Sequence, residues 1–301
     1  MHVYVVGNIV VDQTYLIDEL PEKGASILGQ KISQDLGGKG ANQAVILARS
    51  AINTTLIAAS GNDSQGAWCR EKIAQESLIF LPVQPVDCAT DTSIILNSAD
   101  GDNVNITTTT AAESLSFVDI KSALAAAQPG DVLLQQGNFS LEKTRAIFEY
   151  SRSRKLYNVF NPSPVKTQFA TLWPLIDLAV LNGVEARLLS QGGQDATTAA
   201  RRLLQDGCGT VVITCGADGA LLFGNGQQHH ADAVAPSRVV DTTGAGDTFL
   251  SVMLASALRR GVPVDPQALR HAAEAAAITI GRSGTLNAFP TRAELAALLA
   301  H

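Results

Sequence analysis

Short runs of β-branched and aliphatic residues recur at Val3–Val6, Thr55–Ala59, Val132–Gln135, Tyr157–Phe160, Leu178–Leu181 and Thr210–Thr214. Most are separated by longer stretches whose apolar positions have helical spacing, among them Ser116–Ala127, Leu141–Arg154 and Thr197–Asp206. Strands that are apolar on both faces, alternating with helices, predict an α/β chain with a mostly parallel sheet covered on both sides. Ligands of such sheets are met beyond the carboxyl ends of the strands. Gly7-Asn8, Asn161-Pro162, Asn182-Gly183 and Cys215-Gly216 each follow an apolar run and are expected to border one cleft.

Two segments break the alternation. Thr92–Asn97 and Asn103–Thr108 flank Ala-Asp-Gly-Asp at 99–102, and Val104 and Ile106 alternate with Asn103, Asn105 and Thr107, which predicts a hairpin. With Ser26–Asp35 it would form a small separate sheet. There is no internal repeat, low-complexity tract or linker, so residues 1–301 are expected to be one domain carrying a small inserted β sheet from about 13–36 and 91–109. The apolar stretches Ser122–Ala127 and Ala272–Ile278 are expected to be buried helix.

Composition narrows the function. A chain of 301 residues, 46% of them hydrophobic, has ample core for an enzyme-sized domain. No apolar run reaches the roughly 18 residues a bilayer span needs, and the first residues lack a signal peptide's basic flank and cleavage site. The expectation is a cytoplasmic protein with no membrane partner. Cys69, Cys88, Cys208 and Cys215 have no paired spacing and are expected to be isolated, buried thiols. A net charge of −6 argues against a nucleic-acid partner. An anionic ligand would be met locally, by backbone N–H groups, a few basic residues such as Lys39, and a metal.

Two glycine-rich segments carry the candidate chemistry. Asp241-Thr-Thr-Gly-Ala-Gly-Asp-Thr-Phe249 runs into the apolar segment Leu250–Leu258. Gly244, Ala245 and Gly246 let successive N–H groups converge where a helix dipole begins, which makes an anion cradle. Asp247 at its mouth suggests a base for phosphoryl transfer to a hydroxyl; the alternative is a helix cap beside a tight turn. Gly37-Gly-Lys-Gly-Ala-Asn-Gln-Ala44 opens a second helix, with apolar positions at Ala41, Ala44, Val45, Ala48 and Ala51. Its glycines suit close packing on a sheet, while Lys39 and Asn42 put polar groups at the open end. Gly40 follows Lys39 where a P-loop needs Ser or Thr, and no Gly-x-Gly-x-x-Gly follows the first strand, so neither a Walker phosphate loop nor a dinucleotide site is present.

Together these two segments, in this order, resemble the ribokinase-like (PfkB) family of carbohydrate kinases, as does Gly7-Asn-x-x-x-Asp12; the resemblance extends over essentially the full length. It implies a three-layer α/β/α sandwich with a β lid over the sugar, and transfer of the γ-phosphoryl group of ATP to a hydroxymethyl group of a small sugar, ribose first. Asp247 would be the base, with Gly244, Ala245 and Gly246 as the cradle. Asn8, Asp12, Gly38, Lys39 and Asn42 would line the sugar pocket. Asn182-Gly-Val-Glu185 is similar to the family's Asn-x-x-Glu motif, with Glu185 meeting Mg²⁺ through water. Thr214, Gly216 and Gly219 match a turn passing over the nucleotide phosphates. Asp241, Thr243 and Ile280–Thr285 resemble the two halves of a K⁺ loop. The lid strands imply a homodimer. One position departs: Asn138 stands where the family form has a sugar-contacting Glu, which leaves the sugar open. Another furanose, a ketohexose, a nucleoside, or a sugar-binding regulator without turnover are the alternatives.

Overall fold

The computed structural model describes residues 1–98 and 103–300. The strands are β1 Val3–Val6, β2 Val10–Ile17, β3 Gln30–Gly37, β4 Thr54–Gly61, β5 Ile79–Val86, β6 Thr92–Ser98, β7 Asn103–Thr107, β8 Val132–Gln136, β9 Tyr157–Asn161, β10 Leu178–Asn182, β11 Thr210–Thr214, β12 Ala220–Gly224 and β13 Gln227–Ala231. Nine form one sheet in the order β13-β12-β11-β10-β9-β8-β1-β4-β5. Its pairs are parallel from β5 through β11 and antiparallel for β11–β12 and β12–β13.

Alternation within each strand builds two cores. Val3, Val5, Leu56, Leu134 and Val180 pack on one face under the helices Lys39–Arg49, Ala245–Arg260 and Pro266–Ile280. Tyr4, Val6, Ile57, Leu133 and Leu181 face the other way, against Phe148 of the helix Leu141–Ser153, Leu189 of Gly183–Leu189 and Leu203 of Ala196–Gln205. The result is the three-layer α/β/α sandwich that the sequence pattern predicts.

A second sheet of four strands, β3-β2-β6-β7, is the small separate sheet that the sequence predicts. It differs from the expectation in two respects. The strand expected at Ser26–Asp35 runs over Gln30–Gly37, and β2 starts at Val10, ahead of the expected start near 13, so Asp12 lies inside it, paired with Asp35 on one side and Ser93 on the other. The turn expected at 99–102 lies outside the described residues.

Other departures have local causes. The helix expected over Ser116–Ala127 is capped by Ser116 and ends at Ala123, and Ser122, Ala125 and Ala126 are exposed rather than buried. Pro129 follows closely, and a proline disfavours helix in the residue before it. β5 escaped notice because Pro82 and Pro85 sit in it; at the sheet edge a missing N–H is tolerated. β12 and β13 form a hairpin through Asn225-Gly226, both at positive φ, the conformation this dipeptide favours. All four cysteines are free, but only Cys69 and Cys208 are buried. Among the described residues no helix is long and apolar enough to cross a membrane.

Candidate active site

The helices Lys39–Arg49 and Ala245–Arg260 lie together on one face of the sheet, joined by Ser251 Oγ donating to the Gln43 carbonyl at 3.3 Å. The first turns of both meet in one place. Asn42 Nδ2 donates to Asp247 Oδ2 at 3.0 Å, and Gln43 Nε2 donates to Asp247 Oδ1 at 2.9 Å. Asp247 is buried, and both of its carboxylate oxygens accept from amides outside its own helix. Asp247 is therefore not a cap; its carboxylate is held by two amides from the other motif.

Glycine positions separate packing from space left open. Gly244 has φ of 75°, and a Cβ there would stand 2.5 Å from the Phe289 ring. Gly40 is needed where the helix start passes the end of β1, since its Cβ would stand 2.6 Å from the Asn8 N atom. Gly246 differs: it is exposed, and a Cβ there would meet nothing within 4 Å. A glycine inside a helix costs stability relative to alanine, and nothing in the protein requires this one. Open space beside helix N–H groups is what an approaching phosphate needs. The cradle is smaller than the sequence suggests, because the Ala245 N–H is already bonded to the Thr242 carbonyl at 3.2 Å.

Against this cradle lies a cavity of about 470 Å³, with Thr214, Gly216 and Gly219 on one wall and Gly246, Val239 and Ala277 among its other lining residues. Its walls are mostly apolar, suiting a flat heterocycle with its phosphates toward the helix N-terminus. Gly219 is fixed by packing, its φ being 84° and its Cα lying against the Ala231 carbonyl, whereas Gly216 faces open space. Val239 and Ala277 were not legible from sequence, being ordinary apolar positions on distant segments.

Near enough to Asp247 to feel its charge lies Asp12. Burial pushes its carboxyl up to about 7, and the charges of Asp35 and then Asp247 add to this, while Lys39 opposes them. Asn42 Oδ1 and Asn138 Oδ1 are buried with no protein partner. Buried polar atoms are seldom left so, and acceptors of this kind suit sugar hydroxyls. Asn8 has a structural duty as well, its Oδ1 accepting from the Gly40 N–H at 3.2 Å. Gly38, with φ of 94°, packs against Asn8 and Ile9.

Asn182 and Glu185 form a capping box: Asn182 Oδ1 accepts from the Glu185 N–H at 2.9 Å, and Glu185 Oε2 accepts from the Asn182 N–H at 3.0 Å. Among the described residues no group of three or more His, Cys, Asp or Glu could cage a metal. Glu185 Oε1 takes no part in the box, so this donor set fits a magnesium ion that arrives on a nucleotide and keeps its waters, not a site built from protein alone. The two halves of the expected K⁺ loop do come together, because Asp241 takes N–H bonds from Thr243 at 2.9 Å and Gly284 at 3.3 Å. The Ile280 carbonyl, however, is turned to the N–H groups of Val240 and Asp241.

A carboxylate held at a helix N-terminus beside an apolar slot is an arrangement suited to phosphoryl transfer to a hydroxyl. The chain belongs to the pfkB family of carbohydrate kinases, whose model matches residues 1–292. It is 29% identical to mouse ribokinase over 97% of this chain and 93% of that one. It is also 29% identical to the ribokinase of Haemophilus influenzae, over 99% and 98% of the two chains. Its fold matches the crystal structure of Cryptococcus neoformans ribokinase in complex with ADP at a TM-score of 0.84 and 25% identity, covering 98% of each chain.

Proposed function

We propose that this sugar kinase transfers the γ-phosphoryl group of ATP to a hydroxymethyl group of ribose, in the cytoplasm where both substrates are found. One observation carries the reading: the Asp247 carboxylate, held by Asn42 and Gln43, stands in the first turn of the helix whose Gly246 borders the apolar cavity, and its charge acts on the buried Asp12 carboxyl. Asp12, Asn42 and Asn138 would hold the sugar hydroxyls, with Asn8, Gly38 and Lys39 at the rim. Asp247 would accept the proton of the attacking hydroxyl. Phosphoryl transfer passes through a loose transition state, so the protein's part is positioning and charge stabilisation. The free N–H groups of Gly246 and Asp247 at the helix start supply the latter.

Thr214, Gly216 and Gly219 would border the nucleotide phosphates, and Glu185 would meet a magnesium ion through water. When bound, that ion neutralises charge on the transferred phosphate. Asp241 and Thr243 would border a potassium ion behind the cradle. The relatives named above support ribose. Asn138, with its unpartnered oxygen, supports a second reading, a sugar differing from ribose in one hydroxyl. A coupled ADP-release assay with ribose, 2-deoxyribose, fructose and nucleosides decides between them. The proposal expects ribose to be turned over with the highest kcat/KM. No ADP from any of them would overturn kinase activity.

A further inference from the structure

Asp247 owes its position to a chain of amides that no motif predicted role accounts for. Gln43 is fully buried in the helix Lys39–Arg49. Its Nε2 donates to Asp247 Oδ1 at 2.9 Å and to Asn161 Oδ1, at the end of β9, at 3.2 Å. Its Oε1 accepts from Gln136 Nε2, at the end of β8, at 2.8 Å. The carboxylate settles which way the amide points: Asp247 Oδ1 can only accept, so Nε2 faces it and Oε1 is left to accept from Gln136. Gln136 in turn lies where a Cβ on Gly7 would overlap its Oε1, so the glycine ending the first strand clears the space for it. Asn161 is itself tied to the sheet, its Nδ2 donating to the Val180 carbonyl at 3.0 Å.

We propose that Gln43 is a positioning residue for phosphoryl transfer, anchoring the Asp247 carboxylate to the carboxyl ends of β8 and β9. The proposal rests on Asp247 acting as the base. Asn42 and Gln43 are neighbours with different tasks. Asn42 keeps a buried oxygen with no protein partner, so it can serve the sugar as well as Asp247. Gln43 has both ends of its amide committed inside the protein. The anchor runs to β8 and β9 of the nine-stranded sheet and not to the small β3-β2-β6-β7 sheet. A displaced base loses rate without losing substrate, because a small misplacement of reacting groups costs up to about 10²-fold.

The test uses the full chain in the ADP-release assay with its best sugar. Gln43→Met, which matches length and removes all three side-chain hydrogen bonds, is expected to lower kcat by about 10- to 10²-fold with the KM for sugar and for ATP little changed. Asp247→Asn/Gln43→Met is expected to turn over no more slowly than Asp247→Asn, since Gln43 acts only through that carboxylate. Losses that multiply in the double variant, a raised sugar KM at unchanged kcat, or wild-type turnover in Gln43→Met with Asp247→Asn inactive would each overturn the positioning role alone. Full activity in Asp247→Asn, or no turnover by the wild type with any sugar, would overturn the reading beneath it as well. Should Gln43→Met fail to fold, Gln136→Met removes the bond that orients Gln43 and carries the same expectations.

Discussion

Asp12 and Gly37 approach so closely across the β2–β3 pair that any side chain on Gly37 would overlap the Asp12 carboxylate. The carboxyl is thereby buried opposite Asp35, and its pKa is pushed up to about 7. An unfolded aspartate titrates near about 3.9, so the folded state binds this proton more tightly. Stability from Asp12 is therefore full below about pH 4 and lost as the pH rises through about 7. Asp12→Asn is expected to melt above the wild type at about pH 8, with the difference shrinking toward about pH 4. Thermal melts of the unliganded proteins check this, and a difference independent of pH would refute it. The same variant is expected to raise the sugar KM.

Gly246 and Gly219 make a contrasting pair. Gly246→Ala removes an unneeded helix glycine and is expected to stabilise the fold by up to about 1 kcal/mol while lowering kcat, because the new methyl stands where the phosphate approaches. Gly219→Ala is expected to destabilise, since φ is 84° and the Ala231 carbonyl blocks the methyl. Melting temperature and kcat measured together on both variants test this; unchanged kcat in Gly246→Ala would take Gly246 out of the cradle.

Ile94 and Ile106 lie opposite each other on β6 and β7 and are 37% and 56% exposed. They sit one residue out of step with Ser93, the register partner of Asp12, and so on the other face of the lid. A homodimer covering this face is proposed, with Ile106→Asp expected to give a monomer by analytical ultracentrifugation. A monomeric wild type would refute it.

Asp241 links the Thr243 loop to Gly284, directly behind the cradle. A K⁺ ion held there would preorganise the N–H groups without touching the sugar, so KCl is expected to raise kcat over NaCl and choline chloride at matched ionic strength. Equal rates in the three salts would rule the ion out.

What the chain's own pattern determined is local. Apolar runs with helical stretches between them specify the sandwich because each element needs only its own periodicity, and the glycines at 37–40 and 244–246 mark helix starts wherever they fall. Asp247 and Asn42 were legible because they sit inside those segments, and Asp12 because Gly7-Asn-x-x-x-Asp12 resembles the family form. Tertiary structure decided the rest. Gln43 and Asp247 are 204 positions apart, and only the packing of their two helices on one face of the sheet makes them partners. Gln136 and Asn161 look like ordinary strand-end amides until the parallel order of β8 and β9 brings both beside Gln43. Asn182 and Glu185 carry the spacing of both a capping box and a metal motif, and the hydrogen bonds show that the box forms. The apolar slot beside Gly246 draws its walls from Thr214, Val239 and Ala277, which share no local signal because a cavity is bounded by surfaces the fold brings together, not by residues adjacent in sequence.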